Sequence, residues 1–490
     1  MILLRTSARL QGAAEGSGAC KAGGSWPWRW RGWRGWSLVL WVGLALAMGC
    51  GAMGAERFPP PEFESGYTFP ATTEPGPRAG WMEGIDLGLF ILALAASVYV
   101  VYWRRSRAWI LGLALVSLAY FGFYRKGCIC AVGSIQNVAL ALGDPSYALP
   151  WTVLGFFLLP LLLALVCGRT FCAGVCPLGA IQDVVLVRPL RVKPWLEKAL
   201  GTLPFVYLGA AVLFAATGSA FVICEYDPFV SFFRRSGTWD KLALGAIFLA
   251  AGIWLGRPYC RFLCPYGALL RVASFFSRWK VTLTPQDCNQ CRICEVACPF
   301  GAIEPPTAEA GPGAAAGGGR GRVAAWVGVA LLLVLAGAWL GWQSSGALSR
   351  VHRIVRLAET VIMQETGLAP VDTEPAVVMP PTGVVLRNED TPVLALRAFR
   401  QGGRPAAELV AEAMRIQSKF RIGGLVVGGL VGLVFGVQLI ALAWPPAPRP
   451  AYDPDPAGCV ACGRCYTYCP KEMVRVMRIQ RKGTAPKAPG

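Results

Sequence analysis

Apolar stretches long enough to cross a bilayer recur near residues 84 to 103, 107 to 124, 150 to 167, 201 to 223, 241 to 256, 323 to 343 and 422 to 444. An earlier apolar run, from about Trp36 to Gly54, follows a basic start carrying Arg29, Arg31 and Arg34 and reads as a retained anchor or a cleaved signal peptide. The pattern predicts an α-helical integral membrane protein with about seven or eight transmembrane helices. The stretch at 241 to 256 is short for a span. In the last helix, Gly424, Gly428, Gly432 and Gly436 recur at every fourth position, a smooth face on which another helix can pack closely.

The polar intervals divide the chain further. Residues 1–54 form the leader or N-terminal anchor, 55–83 a Pro-rich extracytoplasmic linker, 84–280 a membrane core, and 281–303 a first cysteine-rich segment. A Gly/Ala/Pro linker at 304–322 leads to a helix at 323–343, and a mixed polar segment at 344–421 is expected outside, with a helical pattern from Val351 to Gln364. After the helix at 422–444 come a second cysteine-rich segment at 445–480 and a basic tail at 481–490. Arg104, Arg105 and Arg107, then Arg188, Arg191, Lys193 and Lys198, then Arg271, Arg278 and Lys280 cluster in alternate loops, which places those loops and both cysteine-rich segments in the cytoplasm of a bacterial inner membrane. The opposite loops also carry Arg125, Lys126, Arg234 and Arg235, so the bias is imperfect.

Composition agrees: of 490 residues 54% are hydrophobic and 15% charged, too apolar for an ordinary soluble protein. The net charge of +19 is scattered in short clusters beside apolar runs, which argues for membrane anchoring and against nucleic acid. One histidine, His352, rules out a haem with two histidine ligands, and no haem is expected. A lone histidine is given no role.

The 18 cysteines gather in short repeats. Cys288, Cys291, Cys294 and Cys298-Pro299 form C-x2-C-x2-C-x3-C-P, and Cys459, Cys462, Cys465 and Cys469-Pro470 repeat it, the spacing of a bacterial ferredoxin that holds two 4Fe-4S clusters. Three closely spaced thiolates bind one cubane, and the fourth cysteine reaches the other. Cys288, Cys291, Cys294 and Cys469 are therefore assigned to cluster 1, and Cys459, Cys462, Cys465 and Cys298 to cluster 2. A zinc ribbon or disulfides fit this dense spacing poorly. Because the two halves are far apart in sequence, the insertion between them must cross the membrane an even number of times, as two predicted helices do.

A second pair of motifs, Cys172-Ala-Gly-Val-Cys176-Pro177 and Cys260-Arg-Phe-Leu-Cys264-Pro265, each follows a predicted hairpin, so the membrane core reads as a tandem hairpin repeat. Cys172, Cys176, Cys260 and Cys264 are candidates for a shared metal or redox centre, with simple packing as the alternative. On the outer side Cys128, Cys130 and Cys224 are weaker candidates for a redox site, with a disulfide or free thiols equally open. Cys130-Ala-Val-Gly-Ser-Ile-Gln resembles Cys176-Pro-Leu-Gly-Ala-Ile-Gln although the topology puts them on opposite faces, and hydropathy offers no account of the likeness.

The two C-x3-C-P-x-G-A motifs, the Glu-Tyr-Asp-Pro-Phe segment between them and the ferredoxin motifs together resemble the NosR/NirI and NapH group of membrane iron-sulfur proteins, over about residues 84 to 303 and 459 to 470. The resemblance implies an electron conduit between a quinol or cytoplasmic redox donor and an extracytoplasmic partner. NosR-type members carry a covalent flavin in an outer domain for which residues 55–83 leave no room, so no covalent flavin is expected on this chain, and a separate flavoprotein subunit and an extracytoplasmic reductase become expected partners. An electron-transfer subunit is expected rather than a stand-alone enzyme. The alternative is an assembly or maturation factor that handles metal or disulfides for a respiratory metalloenzyme. Transport fits less well, since the predicted helices show no obvious intramembrane carboxylate or basic pair.

Overall fold

The computed structural model describes residues 80–127, 129–187, 189–190, 192–283, 288–307, 320–366, 392–443 and 449–484. The apolar run at 36–54, the linker to residue 79 and Cys128 lie outside them. Among the described residues five helices are long and apolar enough to cross a membrane: Gly80–Arg104, Arg107–Tyr124, Trp195–Ala216, Ala325–Ser349 and Ala406–Ala441.

The core opens with α1 (Gly80–Tyr99), continued by a π-helical turn to Arg104, and α2 (Arg107–Ser117), continued likewise to Tyr124. Thereafter one arrangement recurs: a membrane helix, a cysteine-bearing break, and a shorter helix. Cys130 starts α3 (Ala131–Gly143). After α4 (Trp151–Cys167) come α5 (Thr170–Gly174), Cys176 and α6 (Pro177–Val185). The helices α7 (Pro194–Leu200) and α8 (Leu203–Ala216) are followed by α9 (Val222–Tyr226), which carries Cys224, and α10 (Val230–Arg234). Last, α11 (Trp239–Gly252) leads to α12 (Pro258–Phe262), Cys264 and α13 (Pro265–Phe275).

Three of these breaks follow from proline. The ring of the following residue forces Cys176 (φ −70°, ψ 115°), Asp227 (φ −67°, ψ 117°) and Cys264 (φ −59°, ψ 113°) out of helical geometry. Pro177 and Pro265 then open the next helix, where a missing N–H costs nothing. α4 covers almost the whole apolar stretch at 150–167 and α11 most of that at 241–256, and each ends before the proline-led half-helix that follows it. Aromatic rings fill the centre, with Phe90 meeting Phe121, Phe156 and Phe171 edge-on at 5.8, 5.1 and 6.0 Å. A carboxylate does lie inside the first span: Asp86 is buried, paired with Arg125 at 2.6 Å and accepting a hydrogen bond from Tyr120.

The first cysteine-rich segment forms α14 (Ile293–Ala297) and β1 (Ile303–Glu304). A hairpin of long helices follows, α15 (Arg320–Ser349) and, after α16 (Arg353–Glu365) and α17 (Pro392–Gln401), α18 (Ala406–Ala443). The glycine face has a partner: a Cβ on Gly341 would strike the carbonyl oxygen of Gly424, and one on Gly428 that of Gly337, so only glycine lets the backbones approach this closely. His352 caps α16, its Nδ1 accepting from the Ile354 N–H at 3.2 Å. Beyond the hairpin, β2 (Asp453–Pro454), α19 (Arg464–Tyr468) and α20 (Pro470–Thr484) complete the second segment.

The two segments fold as one module. β1 pairs antiparallel with β2, Ile303 opposite Pro454. The Asp455 N–H donates to the Ala302 carbonyl at 2.7 Å, the Thr307 N–H to Arg449 at 3.1 Å, and Arg449 pairs with Glu304. The module sits where α2 begins, because Arg107 donates to the Cys462 carbonyl at 2.9 Å. The 18 residues to Tyr124 then carry the chain about 27 Å away, to what we call the far face.

Candidate metal centres

Two cavities in the module are each lined by four cysteines, and each has about 380 Å³ of empty space. Cys288, Cys291 and Cys294 surround the first together with Cys469; Cys459, Cys462 and Cys465 surround the second together with Cys298. The crossing has a local cause. In each motif the third cysteine rides on a five-residue helix, α14 or α19, that ends at the fourth, and the following proline holds Cys298 (φ −80°, ψ 112°) and Cys469 (φ −80°, ψ 116°) extended, turned from their own loop toward the other. Left-handed residues at Arg292 (φ 62°) and Gly463 (φ 72°) set the entry to each helix.

These sites suit iron-sulfur clusters. No three Cys, His, Asp or Glu side chains among the described residues converge on a point that would hold a single metal ion; four thiols spaced round a cavity are the arrangement a polynuclear cluster takes. Burial pushes the Cys294 thiol up to about 11 and the Cys459 thiol up to about 12, so each favours its neutral form until a metal displaces the proton.

The module is clamped to the membrane core by arginines. Arg105 is 6% exposed and donates to the fully buried Glu472 at 2.5 Å and to the Thr282 carbonyl, its guanidinium 4.3 Å from the Tyr466 ring centre. Arg107 bonds both Cys462 and Asp183, and Asp183 takes a two-pronged bond from Arg257 at 2.9 and 2.8 Å. Arg257 donates in turn to the Cys172 carbonyl. Arg105 and Arg107, counted from sequence as simple cytoplasmic anchors, therefore join the two parts of the protein.

The four C-x3-C-P cysteines come together. Cys172, Cys176, Cys260 and Cys264 line one cavity with Arg169, Arg257 and Tyr266. The Gln182 amide nitrogen lies 3.2 Å from Cys260 Sγ, and the Gly267 N–H donates to Cys264 Sγ at 3.3 Å. Two buried guanidiniums and two N–H groups aimed at sulfur are what a buried set of thiolates needs to offset its charge. Sequence reading missed the arginines, yet each stands three residues before its motif, in Gly168-Arg169-Thr-Phe-Cys172 and Gly256-Arg257-Pro-Tyr-Cys260.

This cavity lies in line with the second ferredoxin site. Arg257 and Cys260 also wall a space bounded by Phe300 and Val460, which in turn wall the cavity of Cys298 and Cys459. Cys172 packs directly on the Phe300, Val460 and Cys462 group. In the other direction Cys176 shares a small apolar cavity with Cys130. Cys224 is exposed and lies beside the first turn of α3, its Sγ 3.4 Å from where a Cβ on Gly133 would be.

Residues 149–201 and 242–284 match the model of a "4Fe-4S binding domain", and residues 281–304 match a second model of the same description. The chain is 33% identical over 184 residues to an uncharacterized protein of Methanocaldococcus jannaschii, covering 38% of this chain and 69% of that one. It is 30% identical over 226 residues to the ferredoxin-type protein NapH of Escherichia coli, covering 40% and 77%. The chain belongs to the NosR/NirI/NapH family of membrane iron-sulfur proteins. Against the family member NirI of Paracoccus denitrificans it is 30% identical over 243 residues, 44% of this chain but only 35% of NirI. No solved structure matches. As a member of this family the chain is an iron-sulfur electron-transfer protein of a membrane.

Proposed function

We propose that this NosR/NirI/NapH-type chain carries electrons across a bacterial inner membrane, from a quinol or cytoplasmic redox protein to an extracytoplasmic partner, with its ferredoxin module on the cytoplasmic side. Cys288, Cys291, Cys294 and Cys469 hold one 4Fe-4S cluster; Cys459, Cys462, Cys465 and Cys298 hold the other. Cys172, Cys176, Cys260 and Cys264 hold a third, thiolate-bound metal centre. Such centres supply reversible one-electron transfer, and the protein's part is ligation, burial and docking.

The observation that carries this reading is the alignment of cysteine-lined spaces with shared walls, from the Cys298 and Cys459 cavity, past Phe300 and Val460, to Cys172 and Cys260 and on to Cys176 and Cys130. Arg257 and Asp183 fix the distance between module and core, and the apolar walls keep water from the thiols. Cys291, exposed at the rim of the first ferredoxin cavity, offers the entry from a soluble donor. A separate flavoprotein subunit and an extracytoplasmic reductase are partners this arrangement would serve.

Anaerobic purification with iron and sulfide analysis tests the reading. Two cubanes give about eight irons per chain. A count clearly above that, falling to about eight in Cys172→Ser, supports the third centre; zinc without iron would overturn the whole reading. A deletion strain separates it from a maturation role, since loss of electron supply leaves the partner enzyme with its metal in place, whereas loss of maturation leaves it empty.

A further inference from the structure

Between the ferredoxin module and the four-cysteine site lies a space of about 340 Å³ whose walls carry four arginines, Arg169, Arg257, Arg261 and Arg271, and one carboxylate, Glu197. The arginines come from separate places in the chain. Arg169 precedes α5, Arg257 stands at the N-terminal boundary of α12 with a left-handed φ of 49°, Arg261 follows one turn later on α12, and Arg271 is on α13. Arg257, Arg169 and Arg261 are 1%, 3% and 7% exposed. Gly458 and Val460 of the module close one side of the space. Gly301 comes so near that a Cβ there would stand 3.0 Å from Glu197 Oε2 and 3.4 Å from Arg261 Nη2.

Among the described residues, two of the four cations have a carboxylate. Arg257 binds Asp183, which it shares with Arg107, and Arg261 binds Glu197. Arg169 and Arg271 meet carbonyl oxygens instead: Arg169 donates to Ala457 at 3.2 Å, and Arg271 to Gly201 at 3.3 Å and to Arg261 at 2.7 Å. The carboxylate of Asp455, beside Gly458, is taken by the N–H groups of Ala457 and Gly458. The Nε atoms of Arg169 and Arg261 are buried and have no acceptor among the described residues. Arg169 and Arg257 also wall the four-cysteine cavity, where thiolates balance them, but Arg261 and Arg271 wall neither that cavity nor the one of Cys298 and Cys459. A buried cation without a counter-charge is costly, and guanidinium N–H groups gathered on one space match the oxygens of an anion.

We infer that this space is a binding site for a phosphate-type oxyanion, free or as the headgroup of an anionic lipid, seated against Arg169, Arg261 and Arg271. The planar fork of a guanidinium pairs with two oxygens of such an anion at once. Glu197 marks the mouth: its side chain is 32% exposed, and it lies in the first turn of the span Trp195–Ala216, at the level of lipid headgroups. Glu197 also competes with the anion, because it already holds Arg261. A bound anion stands between Val460, which walls the Cys298 and Cys459 cavity, and Cys260 of the four-cysteine site, so its negative charge acts on both. For that effect on metal centres the inference rests on the proposed function; for binding it does not.

The test uses the full chain, purified anaerobically in detergent with its iron in place, and two probes: radiolabelled inorganic phosphate and a soluble short-chain phosphatidylglycerol. The expected result is saturable binding at one site per chain. Arg271→Gln weakens it about tenfold, and Glu197→Gln, which frees Arg261, tightens it about tenfold. Loss of a merely structural contact would not tighten binding. Displacement of phosphate by the lipid at lower concentration than by sulfate assigns the site to a headgroup; displacement by sulfate alone assigns it to a free anion, and either supports the site. No saturable binding of either probe, as when bound clusters already balance the arginines, overturns the inference, as does binding that Arg271→Gln does not weaken or Glu197→Gln does not tighten. Phosphate should also lower the midpoint potential of the second module cluster, followed by electron paramagnetic resonance, and do so less in Arg271→Gln. A site that fills without shifting any iron-sulfur signal would count against the metal centres placed beside it and leave the anion site standing.

Discussion

The ferredoxin module and the four-cysteine site in the membrane core use the same residue type and hold it in opposite ways. In the module, short loops with fixed spacing and a proline after each fourth cysteine arrange the thiols through the backbone. In the core, thiols from two distant motifs are held by side chains, with Asp183 fixing Arg257 and Gln182 reaching Cys260. A site built by spacing should resist changes around it and fail when a ligand is lost. A site built by buried charge should fail when its supports are lost.

The largest effect should come from the crossed cysteines. Cys469→Ser should remove about four irons per chain, and adding Cys291→Ser should remove no more, because both belong to one cluster. Adding Cys462→Ser should remove about four others. If the Cys462 double variant were the one to lose no further iron, the crossing would be wrong. Next is Asp183→Asn, which leaves Arg257, 1% exposed, and Arg107 without their carboxylate. Breaking a buried pair costs about 3–5 kcal/mol, read as a lowered thermal midpoint in detergent, and iron above the eight of the module should be lost first. An unchanged midpoint would mean that the core does not depend on this pair.

How much of this was legible in the sequence follows the same division. Cysteine spacing marked all eight module residues, and the glycines at 424, 428, 432 and 436 marked a packing face, because both are local patterns with a mechanism. The half-helices were not legible, since those that begin at Cys176-Pro177 and Cys264-Pro265 lie beyond the apolar stretches that hydropathy marks. Nor was the role of Arg105, Arg107, Arg169 and Arg257. A charge beside an apolar run looks like an anchor until the fold shows the carboxylate or carbonyl it meets, and Asp183 and Glu472 lie 76 and 367 residues from the arginines they bind.

Smaller effects sharpen the contrast. Gly341→Leu should crowd the Gly424 carbonyl and push α15 from α18, costing about 1–3 kcal/mol and lowering iron in both module clusters together, because this hairpin brings the halves into register. Retention of full iron would show that the module assembles without it. His352→Ala should cost about 0.5–2 kcal/mol through the lost cap on α16 and leave iron unchanged. A fall in iron would give this histidine a role the structure does not.

The most direct test of the account is electron passage through the oriented chain: reduced soluble ferredoxin at the module face, an impermeant oxidant sealed at the other, and the module's iron-sulfur signals followed by electron paramagnetic resonance. The account predicts that the parent consumes oxidant steadily, and that in Cys264→Ser the module signals still appear while oxidant consumption stops. Undiminished passage in Cys264→Ser would show that electrons do not travel through the four-cysteine site.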